Sequence, residues 1–198
     1  MFISLEGVDG SGKSTQARLL AEALGEGTVA IREPGGTEAA ERIRGLLADS
    51  ELPLEPLAEL LLFLAARADL TERVIRPAME AGRDVVADRF SDSSVAYQGA
   101  ARGLGVGEVI SLCDRATEGL WPDVTVLLRI DPEDSIGRAA GEDRFEAEGL
   151  ILQQAVAIAY EEIAKISDRM VMVDATGSVE EVHQRVLTAV EAARTEPA

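Results

Sequence analysis

The feature that most constrains this chain is a short glycine-rich stretch near its N-terminus. Residues 6–15 read EGVDGSGKST; the apolar segment FISL precedes them, and QARLLAEALG follows with helical apolar spacing. Gly7, Gly12, Lys13 and Ser14 satisfy the pattern G-x-x-x-x-G-K-[ST], with a strand before it and a helix after it. In such a loop the backbone N–H groups curl around anionic oxygens, and the following helix offers its positive N-terminal end. We therefore predict a phosphate-binding loop.

The residues of this loop have different expected roles. Lys13 reaches the β- and γ-phosphates in loops of this pattern, and the Ser14 hydroxyl can be a ligand of Mg²⁺. Thr15 stands where a dinucleotide-binding G-x-G-x-x-G motif would need glycine or alanine, which argues against that alternative. The predicted nucleotide-binding residues here are Gly7, Val8, Asp9, Gly10, Ser11, Gly12, Lys13, Ser14 and Thr15.

The alternation of short apolar segments with longer helical ones predicts the fold class. The strand candidates are FISLE, TVAIRE, RDVVADRF, DVTVLLRID and DRMVMVDA, and helical segments separate them. Two of these helices are predicted between Pro53 and Ala81. Five strands that alternate with helices predict a parallel sheet with helices on both faces, which is an α/β fold. With 198 residues and no repeat or long linker, we expect a single domain over residues 1–198.

Composition argues against several classes of function. The formal net charge is −17 and no Lys/Arg-rich run occurs, so we expect no nucleic-acid partner. The longest apolar run, residues 60–66, is too short to span a bilayer, and the N-terminus shows no export signal. The single cysteine, Cys113, allows no internal disulfide. We therefore expect a cytoplasmic protein without a membrane partner. Because the chain contains no asparagine, the N-K-x-D motif by which GTPases read guanine is impossible.

A second candidate site lies at the ends of other predicted strands. RDVVADRF contains Asp88 and Arg89 at its carboxyl end, and such ends share the edge of a parallel sheet where ligands bind. Asp88 could hold Mg²⁺ directly or through water, and the planar fork of Arg89 suits a phosphate. A surface pair between these two residues is the alternative. The local pattern alone favours a core position for Phe63 and a solvated one for Arg67, one helical turn later.

Five segments, taken in order, resemble the bacterial thymidylate kinases. They are EGVDGSGKSTQ, REPGGT, LLFLAARA, DRFSDSSVAYQG and VDATGSVEEV, and together they extend over nearly the whole chain. The resemblance implies a three-layer P-loop NTPase fold with a short lid at about residues 138–149. It further implies transfer of the γ-phosphoryl group of ATP to dTMP, which gives dTDP for dTTP biosynthesis. Mg²⁺ as a cofactor and a homodimer are implied as well.

The resemblance also implies roles for individual residues. Phe63 would stack on thymine, Arg67 would hydrogen-bond the edge of the base, and Arg89 would clamp the dTMP phosphate. Tyr97 would crowd the 2′ side of the sugar. The other implied substrate contacts are Glu33, Pro34, Ser94 and Gln98. The implied donor-side residues beyond the loop are Arg138, Ala175 and Thr176. The implied catalytic residues are Asp9, Lys13, Arg89 and Arg144, and the implied metal ligands are Asp9, Ser14, Asp88 and Glu146.

The sequence departs from the family pattern around the lid. Some members have an arginine where this chain has Gly10, and such members compensate with arginines in the lid. Here the predicted lid, GRAAGEDRFEAEG, contains only Arg138 and Arg144. The segment that follows reads LILQQAVAIAY in place of the usual aromatic and arginine pattern.

Three other interpretations stay open from the residues alone. A deoxynucleoside kinase would need a carboxylate base for its hydroxyl acceptor, which Glu33 or Asp9 could supply. A nucleotide-dependent switch protein would use an exposed apolar patch, for which LAELLLFLAA is a candidate, although a core or dimer-interface role is the favoured interpretation. His183, the single histidine, could also be a metal ligand, but a position on a surface helix explains it better.

Overall fold

The fold is built on five parallel strands that form one sheet in the order β2-β3-β1-β4-β5. The computed structural model describes residues 1–136 and 149–195. The strands are β1 Phe2–Glu6, β2 Val29–Arg32, β3 Val85–Asp88, β4 Val124–Arg129 and β5 Met170–Asp174. In the register of the sheet, Leu5 lies opposite Asp88 on β3 and opposite Val126 on β4. The predicted parallel sheet is confirmed.

Helices connect the strands. They are α1 Lys13–Leu24, α2 Glu38–Ala48, α3 Pro56–Leu70, α4 Arg76–Glu80, α5 Ser91–Ser94, α6 Val106–Thr117, α7 Pro132–Ile136, α8 Gly149–Ala164 and α9 Val179–Thr195. A π-helical turn, Thr71–Ile75, joins α3 to α4, and a second one, Val95–Ala101, continues α5. The two helices predicted between Pro53 and Ala81 are α3 and α4, and the π-helical turn joins them without a loop. Pro77 lies in the first turn of α4.

The central strands of the sheet are buried on both faces, as expected for parallel strands between helices, whereas the edge strands β2 and β5 are partly exposed. Every residue of β1 and β3 is buried. The core includes Leu5, Val86 and Val126, each with no exposed surface, and burying side chains of this size contributes about 1.5–3 kcal/mol each. Among the described residues, no helix combines the length and apolarity needed to cross a membrane.

The strand order brings distant segments of the chain together at one edge. β1 lies between β3 and β4, so the chain leaves β1 on one side of the sheet and later returns on the other. Ligands of such sheets bind at the carboxyl ends of the strands where the order reverses. There the Arg89 amide donates to the Leu5 carbonyl oxygen at 3.1 Å, and the Glu33 amide donates to the Asp88 carbonyl oxygen at 3.0 Å. These bonds hold the segments after β1, β2 and β3 side by side.

Candidate active site

The segment between β1 and α1 forms an open loop whose glycines are structurally required. Gly7 has φ 145° and Gly12 has φ 94°, values that favour glycine. A Cβ added at Gly7 would also lie 2.7 Å from the carbonyl oxygen of Leu128. Gly12 is the N-cap of α1 and has no side chain to bond the first N–H groups of the helix. Those groups can therefore serve an anion.

Lys13 lies beneath this loop, with 6% of its surface exposed. Its Nζ donates to the Val8 carbonyl oxygen at 2.7 Å and lies 3.4 Å from Ser11 Oγ. Burial, together with the charge of Arg89, lowers the pKa of Lys13 to about 8. Negative charge from a bound polyphosphate would favour the protonated form again. The position of this ammonium group thus fits the predicted contact with phosphates.

Ser14 and Asp88 join the first turn of α1 to the end of β3. The Ser14 hydroxyl donates to Oδ2 of Asp88 at 2.5 Å. Hydroxyl and carboxylate oxygens are hard donors that suit Mg²⁺. No group of three or more His, Cys, Asp or Glu side chains that could hold a metal occurs among the described residues. A magnesium ion at this pair would therefore need phosphate oxygens and water to complete its coordination, as is usual for this ion.

Arg89 follows β3 and points into the site. Its φ of 73° is rare for a residue other than glycine, and such conformations concentrate at functional sites. The guanidinium forms an ion pair with Asp9 and donates to Ser93 Oγ at 3.1 Å and to the Gly7 carbonyl oxygen at 3.3 Å. Only 19% of the Arg89 side chain is exposed. A surface pair between Asp88 and Arg89 is therefore not what the structure contains.

Asp9 is held by Gln153 and Tyr97 as well as by Arg89. The Asp9 amide donates to Gln153 Oε1 at 3.0 Å, and Gln153 Nε2 donates to Asp9 Oδ2 at 2.7 Å. The Tyr97 hydroxyl donates to the same Oδ2 at 3.3 Å. Burial raises the pKa of Asp9, but the charges of Arg89 and Lys13 outweigh it and keep this pKa below its ordinary value. Asp9 is therefore an anion at neutral pH.

Gln153 is a site residue that the sequence analysis missed. It lies on α8 and is 3% exposed, whereas its neighbour Gln154 is exposed. Apart from these two glutamines, the start of α8 is apolar. A polar side chain on the buried face of an apolar helix is the signal that could have identified it.

A cavity of about 500 Å³ connects these groups. The lining residues come from the glycine loop, from three strand ends and from the helices above them. Of the predicted site residues, the lining includes Asp9, Gly10, Ser11, Gly12, Lys13, Ser14, Thr15, Glu33, Pro34, Phe63, Arg67, Asp88, Arg89, Ser94, Tyr97, Gln98 and Ala175. Other lining residues, not named as site residues from the sequence, include Gln16, Arg44 and Ser93.

Among the predicted site residues that the structure describes, three do not line the cavity. Gly7 and Val8 instead contribute carbonyl oxygens, to Arg89 and Lys13 respectively. Thr176 is exposed, and its amide and hydroxyl both donate to Asp174 Oδ1, at 2.9 and 2.8 Å. Ala175, the other residue of the predicted adenine border, does line the cavity, together with Gly177–Val179.

The far end of the cavity contains a buried ion pair. Arg67 Nε donates to Glu33 Oε2 at 2.7 Å, and Arg67 Nη2 donates to the Phe90 carbonyl oxygen at 3.2 Å. Arg67 is 1% exposed, so the solvated position favoured by the local pattern is wrong. Burial raises the pKa of Glu33, although the Arg67 charge opposes this shift. Phe63, one turn earlier, is only partly buried.

Several buried oxygens along the cavity wall have no hydrogen-bond partner within the described part of the chain. They are Gln16 Oε1, Glu33 Oε1 and Ser94 Oγ. Buried polar atoms are nearly always hydrogen-bonded in native proteins. Gln98, by contrast, donates through Nε2 to Glu59 Oε1 at 2.7 Å. The unpartnered oxygens are therefore candidates to contact a ligand, whereas Gln98 is fixed as part of the wall.

The predicted lid, 138–149, lies outside the described residues except for Gly149, which begins α8. Arg138, Arg144 and Glu146 are among those residues, so their predicted roles stay predictions.

Comparisons with known proteins agree on one family. The family model for thymidylate kinase matches residues 5–186. A thymidylate kinase of Thermosipho africanus is 44% identical over 196 residues, which cover 96% of this chain and 98% of that protein. One of Symbiobacterium thermophilum is 46% identical over 198 residues, covering 96% and 92%. The crystal structure of thymidylate kinase from Ehrlichia chaffeensis superposes with a TM-score of 0.81 at 31% identity, covering 96% and 98%. The chain therefore belongs to the thymidylate kinase family, the ATP-dependent nucleoside monophosphate kinases that phosphorylate dTMP to dTDP.

Proposed function

We propose that the two ends of the cavity bind the two substrates of the thymidylate kinase reaction, ATP at the glycine loop and dTMP at Arg89. The observation that carries this proposal is that Lys13 and Arg89 line one cavity and that the charges of both act on Asp9, which also lines it. Two polyanions can approach one another only if cations neutralise both. Two cations in one cavity, one for each substrate, meet that requirement.

On the donor side, the loop N–H groups and Lys13 bind the β- and γ-phosphates of ATP. Gly10, Ser11, Gly12 and Thr15 contribute backbone or hydroxyl groups to this cradle. Adenine lies against Ala175, whose segment forms the adjoining wall of the cavity. The depressed pKa of Lys13 supports this role, because burial and the Arg89 charge disfavour its protonated form and a bound phosphate would restore it.

On the acceptor side, Arg89 binds the phosphate of dTMP and Phe63 stacks on thymine. Arg67 Nη1 carries two N–H groups, one of which contacts Cys113 Sγ at 3.5 Å; the other donates to the edge of the base. The unpartnered oxygens of Ser94 and Glu33 accept from the nucleotide. Tyr97, with its ring 5.2 Å from the Arg89 guanidinium carbon, limits the space at the 2′ position of the sugar.

The chemistry then needs positioning and charge balance rather than a strong base. A phosphate monoester has a second pKa of about 6 and is mostly a dianion at neutral pH. Its oxygen can attack without losing a proton to the enzyme. Arg89 orients that phosphate, and Asp9 keeps the guanidinium in place before dTMP arrives. Asp9 can hold the guanidinium in this way because its own carboxylate is fixed by hydrogen bonds from Gln153 and Tyr97.

Mg²⁺ is part of the proposal. Ser14 and Asp88 would hold the ion, directly or through water, and Asp9 and Glu146 are further predicted ligands. When bound, Mg²⁺ neutralises charge on the donor phosphates. The lid residue Arg144 is proposed to stabilise the transferred phosphoryl group, a role worth about 10³- to 10⁵-fold in rate in related chemistry; Arg138 would contact the donor nucleotide.

We further propose a single domain, a cytoplasmic location and a homodimer. One continuous sheet contains strands from both ends of the chain, which supports the single domain. Leu57 and Leu61 on α3 are 49% and 51% exposed. Half-exposed leucines on one helix suit a subunit contact better than free solvent.

A substrate screen tests the proposed function. ADP release would be followed with ATP, Mg²⁺ and each common nucleoside monophosphate, and separately with thymidine. We expect dTMP to be phosphorylated and thymidine not, because thymidine lacks the phosphate that Arg89 binds. Phosphorylation of thymidine, or ADP release that needs no acceptor, would contradict the proposal and favour a nucleoside kinase or a nucleotide-dependent switch.

A further inference from the structure

Glu6 is a buried carboxylate behind the cavity that the reaction above does not use. It is the last residue of β1, at the centre of the sheet, and none of its surface is exposed. A buried carboxylate is costly unless hydrogen bonds compensate it. Glu6 is not among the residues that line the cavity, so any influence on the substrates must pass through its neighbours.

Glu6 is bonded to the segment that carries Arg89. Its Oε1 accepts from the Phe90 amide at 2.7 Å. Its Oε2 accepts from Ser93 Oγ at 2.6 Å and from the Tyr160 hydroxyl at 2.7 Å. Phe90 is the residue after Arg89, and Ser93 lies four residues beyond Arg89. The carboxylate thus connects β1 to two points, Phe90 and Ser93, of the segment that directly follows Arg89.

The Ser93 hydroxyl links Glu6 to Arg89 through hydrogen bonds to both. A serine hydroxyl has one hydrogen to donate. Since that hydrogen goes to Glu6, the oxygen presents its lone pairs to Arg89 Nη1, which donates to it at 3.1 Å. A neutral group in place of the carboxylate would compete as a donor toward Ser93. The Ser93 hydrogen could then turn toward the guanidinium, and the bond from Arg89 would be lost.

We propose that Glu6 is a positioning residue for dTMP: its carboxylate orients the Ser93 hydroxyl, which in turn orients the Arg89 guanidinium toward the acceptor phosphate. This inference rests on the proposed role of Arg89. It extends the site to a residue that makes no contact with either substrate.

The surroundings of Glu6 make this positioning depend on pH. The charged or titratable groups that face it are Lys13 on α1, Arg67 on α3, Arg89 after β3, Asp92 on α5 and Tyr160 on α8. Burial and the charge of Asp92 raise the pKa of Glu6 to about 7, against the hydrogen bonds from Ser93 and Tyr160 and the charge of Arg89. As pH falls through 7, Glu6 becomes neutral, and we expect the KM for dTMP to rise.

The test is steady-state kinetics of Glu6→Gln against the parent enzyme between pH 5.5 and 9. At pH 8 we expect the KM for dTMP to rise roughly 10-fold, the loss of one charge-assisted hydrogen bond, with the KM for ATP unchanged. In the parent, the KM for dTMP should rise as pH falls through 7; this step should be absent from the variant. Ser4→Ala is the matched control, because Ser4 is buried on the same strand and bonds Thr125 instead; its profile should match the parent.

Tyr160→Phe keeps the test decisive if Glu6→Gln does not fold. It removes a hydrogen bond that lowers the pKa of Glu6, so the step in the KM profile should move to higher pH. A folded Glu6→Gln with the parental KM and profile would overturn the inference, as would an unmoved step in Tyr160→Phe. Arg89→Ala distinguishes a failure of the proposed role of Arg89 from a failure of the proposed role of Glu6. If it leaves the KM for dTMP unchanged, the proposed function of Arg89 fails; if it raises that KM while Glu6→Gln does not, only the role of Glu6 fails.

Discussion

At the scale of single residues, the site is a set of charges that hold one another before any substrate is present. Arg89 is paired with Asp9, and Asp9 is fixed in turn by Gln153. A phosphate dianion carries more charge than a carboxylate and presents oxygens in the geometry of the guanidinium fork. Arg89 can therefore exchange the Asp9 carboxylate for the phosphate with little movement. In this sense the site is pre-organised for its substrate.

Lys13→Met tests both the effect of the buried ammonium on stability and its role in the reaction. We expect activity to fall by about 10²- to 10³-fold, the usual effect of removing one group that stabilises developing charge. The free energy of unfolding should not fall at pH 7, because burial of the charged lysine is itself unfavourable. Its pKa drops from 10.5 to about 8 on folding, so the unfolded chain binds its proton more tightly. Stability of the parent without nucleotide should therefore rise between pH 8 and 10.5, and this rise should be absent from the variant.

Urea unfolding at pH 7, 9 and 10 would measure this, with Lys165→Met as the control. Lys165 is the other lysine of the chain, and its side chain is 64% exposed. The control should keep full activity. A large loss of stability in Lys13→Met at pH 7 would show that Lys13 supports the fold rather than the reaction.

Gln153→Ala should weaken catalysis, whereas Gln154→Ala should not. Gln153 bonds both the amide and the carboxylate of Asp9, and Gln154 is the exposed neighbour on the same helix. Loss of a hydrogen bond to a charged group corresponds to about 10-fold or more in kcat/KM. Initial rates of both variants with dTMP and ATP would test this difference. Equal effects of the two substitutions would remove the proposed role of Gln153.

The residues that the sequence predicted and those that it missed differ in where their partners lie. The glycine loop was recognisable because its function needs residues at fixed, short spacings. Arg89 was predictable as a strand-end arginine. Gln153 and Glu6 were missed because their roles depend on contacts that join residues 144 and 87 positions apart. No local pattern records such contacts, although a polar residue inside an apolar segment marks Gln153 and a carboxylate at the end of an apolar strand marks Glu6.

At the scale of secondary-structure elements, the ion pair of Arg67 and Glu33 connects α3 to the turn after β2. Both side chains are almost fully buried, at 1% and 4% exposed. Removal of one partner from a buried pair is strongly destabilising, because the other charge is left uncompensated. The same helix carries Phe63, which is only partly buried in the cavity wall. Two residues one turn apart should therefore respond differently to substitution.

Arg67→Leu should lower the free energy of unfolding by about 3–5 kcal/mol. Phe63→Leu should cost much less stability but raise the KM for dTMP, since the stacking surface for the base is lost. Chemical denaturation and dTMP saturation curves on both variants would compare them. An Arg67→Leu variant as stable as the parent would mean that the ion pair contributes little to joining these elements.

The elements themselves were largely predictable, except for the π turn between α3 and α4. Strand positions followed from short apolar segments that are buried on both faces. The two helices predicted between Pro53 and Ala81 are present as α3 and α4, but the π turn Thr71–Ile75 that joins them in helical geometry was not predicted. Nothing in the apolar spacing distinguishes one extra residue in a turn from a gap between two helices.

At the scale of the whole molecule, the order of the strands decides which segments can form a site. The sequence indicated parallel strands, but only the structure shows β1 between β3 and β4. Periodicity describes how one strand is buried and says nothing about its neighbours. That order brings Asp88 of β3 within hydrogen-bond distance of Ser14, although 74 residues separate them.

The proposed homodimer makes a prediction for surface leucines. Leu61→Glu should convert a dimer to monomers, because a charge cannot be buried unpaired in an apolar contact. Ile158→Glu is the control: it changes a residue of α8 that is 63% exposed, on a different helix. Sedimentation velocity on the three proteins would test this. A monomeric parent, or a dimer that survives Leu61→Glu, would contradict the proposed interface.

The central claim is that Arg89 holds the accepting phosphate opposite the glycine loop, and steady-state kinetics of Arg89→Ala test it most directly. The account predicts that kcat/KM for dTMP falls by about 10²-fold or more, as expected when a fully engaged charged group is removed, while the KM for ATP changes little and the protein stays folded. A folded Arg89→Ala variant with the parental KM and kcat for dTMP would contradict the account.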